Sequence, residues 1–314
     1  MEEFKNNLHC NKIYKGDKLF KRKARSKQSD FREKVLKAGY DMENRFGQYG
    51  AFLLPEHASK GLNFCEEFRT EILDRIKLRY PTMSNEQHDG LYANMLRSEH
   101  IPWNIFVPMD EDRHAAAKVL NEIIGDPFID EITRIEIEWA PDKAQSLNDN
   151  TSFDTYIEYL SSGKKCGIGI EVKYTEEGYH FGEKEYKEVM ENEHSKYAEV
   201  TKACGLYSDS IANTPLRETP LCQDEYRQIW RNHILGESMV LNHMLCRFHT
   251  VTLFPSGNPH FSEVLPKYLE FLSDYGKSTF RYITFEELFE LLGTNYKEAK
   301  YQKWINYLKK RYPF

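Results

Sequence analysis

The sequence predicts a mixed α/β (α+β) fold: a central mixed sheet flanked by helices, with a mainly helical N-terminal region ahead of it. Three observations carry this. Helical periodicity dominates up to about residue 130, strand-like alternation takes over in the centre, and strand and helix patterns then alternate. Hydrophobic residues make up 40% of the 314 and aromatics 14%, enough to fill a real core. No apolar run approaches the roughly 20 residues needed to span a bilayer. The start, MEEFKNNLHCNKIYKGD, lacks the apolar stretch of a secretory signal. The expected location is cytoplasmic.

Taken in order, residues 1–28 read as a basic, mobile arm, and SDFREKVLKAGY reads as a helix with Ser29 as its N-cap. Residues 29–130 form the helical region. NFCEEFRTEILDRIKLRY is amphipathic and stops at Pro81, the next helix breaks near Pro102, and HAAAKVLNEIIG stops at Gly125-Asp126-Pro127. A core is expected over 131–295. TRIEIEWAP reads as a strand, and TSFDTYIEYLSSGKKCGIGIEVKYTE as two strands joined by a tight turn. EKEYKEVMENEHSKYAEVTKAC and QDEYRQIWRNHILGESMVLNHML are helical. HTVTLFPSG is a strand, PHFSEVLPKYLEFLSD a helix, and FRYITFEELFELLG a strand running into a helix. Residues 296–314 form a basic C-terminal helix.

The net charge of −6 excludes a strongly basic field over the whole protein, but not local basic patches. Residues 11–27 carry eight Lys or Arg and one acid, and residues 296–314 carry six and one. Both ends could meet phosphate, or could be solvated faces. The six cysteines, Cys10, Cys65, Cys166, Cys204, Cys222 and Cys246, contain no Cys-x-x-Cys pair, which argues against a disulfide framework or a zinc site. His233, His243 and His249 follow no zinc-hydrolase spacing.

The strand CGIGIEVKY carries Gly167, Gly169, Glu171 and Lys173 on one face and Ile168, Ile170, Val172 and Tyr174 on the other. Glycine inside a strand marks close approach by another group. With Ser162-Gly163 as the two-residue turn, Thr155 faces Ile170, Ile157 faces Ile168 and Phe153 faces Val172. Asp154 then lies across from Glu171. Two apposed carboxylates repel unless a cation sits with them, and such oxygen ligands suit Mg²⁺. Lys173, two residues on, is placed to stabilise developing phosphorane charge or orient a water. Spacing alone is also that of a solvated face with cross-strand ion pairs.

Asp154 on one strand and Glu171-Val172-Lys173 on the next resemble the signature of the PD-(D/E)XK nuclease superfamily. Phe153 stands where that signature has a proline, which takes no part in the chemistry. The chain further resembles a bacterial family of restriction-endonuclease-like proteins. FREKVL, GQYGAFL, GLNF, LRSEHIPWNIFVPM, TSFD, IGIEVKYTE and YRQIWRNHIL carry this likeness over roughly residues 30 to 250. The terminal basic segments fall outside it.

The resemblance implies a restriction-endonuclease-like core and a metal-dependent DNA endonuclease, a restriction or defence enzyme, in the bacterial cytoplasm. Asp154 and Glu171 would hold Mg²⁺, with Mn²⁺ as a substitute and the Val172 carbonyl as a further ligand. Lys173 would act on the water or the transition state, leaving a 5′-phosphate and a 3′-hydroxyl. A helix before the sheet often adds a glutamate in this superfamily. Glu99 is the candidate, with Glu136 and Glu138 as rivals. Gln228 and Arg231, one turn apart on a helix, would steady the metal water or a phosphate, while Asn104 and Trp230 read as packing residues. Double-stranded DNA is the expected partner, with a homodimer supplying two active sites. The competing readings are a non-catalytic nucleic-acid-binding protein on a nuclease fold, and a structure-specific repair nuclease or RNase.

Overall fold

A computed structural model describes residues 12–43, 47–126, 128–178, 180–312 and 314. The first eleven residues of the expected arm, with Cys10, and Pro127 of the expected helix stop lie outside them. The five remaining cysteines are free.

The core is a five-stranded mixed sheet in the order β1-β2-β3-β4-β5. The strands are β1 (Glu131–Trp139), β2 (Phe153–Ser161), β3 (Lys164–Val172), β4 (Phe248–Phe254) and β5 (Phe280–Thr284). The first three pair antiparallel and the last three parallel. The change of sense falls where the hairpin gives way to helical crossovers, which parallel pairing requires. The β2–β3 register is the expected one, with Thr155 opposite Ile170 and Ser161 opposite Lys164. Ser162 and Gly163 both have positive φ (49° and 74°), as a tight turn matching strand twist demands.

Among the described residues, nine longer helices surround the sheet: α1 (Leu19–Phe31), α2 (Arg69–Arg79), α3 (Ile101–Glu111), α4 (Arg113–Ile124), α5 (Lys196–Ala203), α6 (Asp224–Leu241), α7 (Pro259–Glu270), α8 (Phe285–Asn295) and α9 (Ala299–Arg311). No helix among the described residues is long and apolar enough to cross a membrane. One apolar cluster joins α2, α3, α4, α8 and α9 to the sheet face bearing Ile157, Ile168, Ile170 and Val172. A second joins α5, α6 and α7 to the opposite face.

That opposite face explains the glycines of β3. Phe153, Tyr156 and Phe248 form a layer of rings, with Phe153 and Phe248 centroids 5.2 Å apart. A Cβ on Gly169 would meet both Phe153 and Phe248, and one on Gly236 of α6 would run into Phe248. The groups that approach closely are therefore core rings. Phe153 belongs to this layer, so it does not share the apolar face of Val172 as expected. Strand alternation lapses there, next to Glu138, whose φ of 55° is left-handed.

Four local expectations are corrected. Residues 12–28 are not a loose arm. From Leu19 they form α1, which buries Ala24, Arg25, Gln28, Ser29 and Phe31. Arg25 is held by Asp17 at 2.6 Å, and Gln28 donates to the Tyr174 hydroxyl at 2.7 Å. Ser29 therefore sits inside the helix, donating to the Tyr49 carbonyl, and caps nothing. Pro102 starts α3 instead of breaking a helix, because its missing N–H is harmless in the first turn. The helix expected over 183–204 is interrupted at Asn192, whose side chain accepts from the His194 N–H, and restarts on a Ser195 cap.

The C-terminal helix is also built into the core. Tyr301, Trp304, Ile305, Leu308 and Arg311 are buried along one face of α9. Arg311 is fully enclosed. It donates to the Asn63 carbonyl at 2.7 Å and to Gln28 Oε1 at 3.2 Å, so it joins α9 to α1. Of its other cations, Lys300 pairs with Glu111 and Lys309 with Glu290.

Candidate active site

Three strands place three carboxylates in a row. Ile137 pairs with Thr155 and Trp139 with Phe153, which brackets Glu138 opposite Asp154. The β2–β3 register carried one step further sets Asp154 opposite Glu171. Asp154 Oδ2 accepts from the Val172 N–H at 2.7 Å, tying the two strands together at this level.

Lys173 follows directly. Its ammonium lies 2.6 Å from Glu171 Oε1, and both groups are nearly enclosed. Helix α6 supplies the remaining contacts from one face. The Gln228 side chain accepts from Lys173 and donates to Glu171 Oε1, while Asn232 donates to Glu171 Oε2. Gln228 thus bridges acid and amine, and Asn232 fixes the second carboxylate oxygen. Asn232 was missed in the sequence, where its place one turn after Gln228 was the available signal.

Like charge and burial dominate the electrostatics. Burial, then Glu171 and Glu138, hold the Asp154 carboxyl well above its usual range against the pull of Lys173. Burial, with Glu171 and Glu99, pushes Glu138 up to about 7. Burial would also strip the proton from Lys173, but Glu171 and Asp154 outweigh it and its pKa is raised. Lys173 is therefore a firm cation.

Glu138, one of the rivals to Glu99, is the acid that the sheet register sets opposite Asp154. Its left-handed backbone turns it toward Asp154, and Arg79 donates to its carbonyl at 2.6 and 3.1 Å. Glu99 instead precedes α3 in a loop that the Thr175 hydroxyl (to the Leu96 carbonyl) and Glu176 (from the Ser98 N–H) stitch to the end of β3, and it pairs with Arg97. Glu136 is exposed on β1, across from Tyr156. Arg231 is not brought to the carboxylates. It donates to Tyr197, Asp149, Glu185 and Thr151, pinning the loop before β2 to α6. Asn104 and Trp230 are packing residues, as expected: Asn104 accepts from the Cys65 N–H at 2.7 Å, and Trp230 donates to Thr201 at 3.0 Å.

The donor set suits a hard divalent cation. All of its atoms are oxygens, and neither Asp154 Oδ1 nor the Glu138 carboxylate has a hydrogen-bond partner among the described residues. Glu171 is already engaged by Lys173, Gln228 and Asn232. Among the described residues, no three Asp, Glu, His or Cys side chains stand close enough together to hold a metal as a set.

A cleft of about 840 Å³ opens onto Lys173 and Gln228. Lys18, Lys21, Arg25 and Arg97 lie on its walls. Lys18 pairs with Glu177, Arg25 with Asp17 and Arg97 with Glu99, and Lys21 has no ion-pair partner among the described residues.

A model of the PD-(D/E)XK nuclease superfamily matches residues 15–314, including most of the first basic segment and all of the second, which the motif likeness left out. No curated protein and no solved structure matches the chain. The match runs along nearly the whole chain, and the Asp/Glu-x-Lys arrangement at the ends of β2 and β3 falls within it. The chain belongs to the PD-(D/E)XK nuclease superfamily, phosphodiester hydrolases that generally use divalent metal ions.

Proposed function

We propose that this protein is a Mg²⁺-dependent DNA endonuclease, a restriction or defence enzyme of the bacterial cytoplasm, centred on Asp154, Glu171 and Lys173. One observation carries the reading: an enclosed acid–amine pair, with a second acid beside it, presents its Lys173 to a cleft lined by Lys18, Lys21, Arg25 and Arg97 together with Asp17, Glu99, Glu176 and Glu177. Asp154, Glu171, the Val172 carbonyl and Glu138 would hold the metal, with Mn²⁺ able to substitute. A divalent cation held by these residues would supply polarisation of the scissile phosphate and a lowered pKa for bound water.

The chain's own groups do the rest. Lys173 keeps its proton and so acts through charge, donating to a non-bridging phosphate oxygen as negative charge builds. Gln228 and Asn232 hold Glu171 in one orientation, which keeps Lys173 aimed as well. Lys21 and Lys18 meet the flanking phosphates, Lys18 exchanging Glu177 for the substrate. Arg231 acts as a positioning residue behind Asp154. Hydrolysis leaves a 5′-phosphate and a 3′-hydroxyl, and a homodimer would cut both strands.

The test is purified protein with methylated and unmethylated plasmid, with and without Mg²⁺, read on a gel. Cleavage that needs the metal and disappears in Asp154→Ala supports the reading. Salt-sensitive binding with no cleavage in Mg²⁺ or Mn²⁺ would make the protein a binder on a nuclease fold.

A further inference from the structure

A second cavity lies on the other flank of the carboxylate row. It measures about 180 Å³, and Tyr80, Leu91, Trp103, Gln87, Glu99 and Glu138 line it. Glu99 borders both this recess and the cleft, so the two meet around one side chain. Their chemistry differs. The cleft sets Lys18, Lys21, Arg25, Arg97 and Lys173 against Asp17, Glu99, Glu176 and Glu177, whereas the recess lining has no Lys or Arg and contains two carboxylates. A phosphate is therefore disfavoured in the recess relative to the cleft.

What the recess suits is a neutral, flat ring. The Tyr80 and Trp103 rings stand 6.5 Å apart at 55° and give it aromatic walls. It is smaller than the roughly 300–1,000 Å³ typical of sites for drug-sized ligands, and is sized for one ring system. Its polar groups favour donors on that ring. Glu99 accepts, as a carboxylate does from the exocyclic amine of cytosine, and the Gln87 amide is an exposed partner at the rim. Glu138 forms part of the wall, so an occupant would be within one nucleotide of the bond being cut.

We propose that this recess receives one unstacked, amino-bearing base, cytosine or adenine, from the strand being cut, next to the scissile phosphate. Tyr80 supplies the stacking surface, backed by the buried Trp103 ring, and Glu99 the preference for an exocyclic amine. The assignment rests on the nuclease reading above and adds the substrate feature that the site selects. It also gives Glu99 a role apart from the metal.

The experiment has two arms. In the first, full-length protein in EDTA binds short oligonucleotides carrying 2-aminopurine at successive positions. The expected result is a fluorescence rise at one position, where the base leaves the stack. Tyr80→Ala should lose that rise and bind about 5- to 150-fold more weakly, the range for one base–aromatic stack. In the second arm, cleavage in Mg²⁺ is measured with cytosine, adenine, thymine or an abasic residue at that position. Cytosine and adenine should be preferred in kcat/KM, and Glu99→Gln, which keeps the size of the side chain, should flatten the preference without abolishing cleavage.

Equal cleavage of all four substrates by the wild-type protein, with no position giving a fluorescence rise, would overturn the proposal and leave the nuclease reading intact. Absence of cleavage of any substrate would instead count against the nuclease reading. The fluorescence arm decides the recess on its own, since it needs no turnover.

Discussion

Replacing Glu138 by Gln should make the metal-free protein more stable and the metal-loaded protein less so. In the fold, Glu138 is pushed from its ordinary 4.5 to about 7, by burial first and then by Glu171 and Glu99. The folded state therefore binds more protons than the unfolded state between these values. Stability must fall as pH rises from 4.5 to about 7 and stay low above it. At 1.36 kcal/mol per pKa unit the full effect is on the order of 3 kcal/mol. The carboxylate is partly solvated, so about 1–2 kcal/mol is the expected size. Glu138→Gln removes this group's share of the slope. Urea unfolding at intervals from pH 5 to 8, with EDTA, measures it. The variant should be more stable than wild type at pH 8 and nearly equal at pH 5. With Mg²⁺ the order should reverse, because a ligand is lost and stabilisation by mass action falls with it. Parallel stability curves for the two proteins, with the same response to Mg²⁺, would refute the placement of Glu138 in the row.

Three further outcomes follow from the geometry. Gly236→Ala should destabilise by about 1–3 kcal/mol in thermal unfolding, because its Cβ runs into the Phe248 ring in a packed layer. Arg231→Ala should cost about 1–3 kcal/mol by removing charged hydrogen bonds to Asp149 and Glu185, and should expose the loop before β2 to faster proteolysis. Asn232→Ala should lower cleavage while leaving substrate affinity unchanged, since among the described residues its side chain hydrogen-bonds to Glu171 alone, and Asn232→Asp should be worse because it adds a carboxylate to the row.

The hairpin was legible because two independent signals agreed. A period of two set the faces of β3, and the Ser162-Gly163 turn fixed the register that brings Asp154 across from Glu171. Helix α1 was not legible as core, because its eight-cation surroundings mask a short buried face at Ala24, Gln28 and Phe31. Its anchors, Tyr174 and Arg311, are more than a hundred residues away in the chain. The position of Glu138 opposite Asp154 comes with a left-handed residue in a strand, which propensity gives no reason to expect at glutamate. Arg231 illustrates the same limit. Helical spacing put it near Gln228, but three residues fall about 60° short of a full turn, enough to face a different loop.

The most direct test of the central claim is a double-mutant cycle on single-turnover cleavage of a DNA duplex in Mg²⁺, using Glu171→Gln, Lys173→Met and the combined variant. Each protein is first checked for a wild-type unfolding curve with EDTA. If Glu171, Lys173 and the intervening Gln228 form one unit, each single change should slow cleavage by about 10²–10³-fold or more, and the double variant should be little slower than either. A folded Glu171→Gln protein that cuts at the wild-type rate would contradict the account.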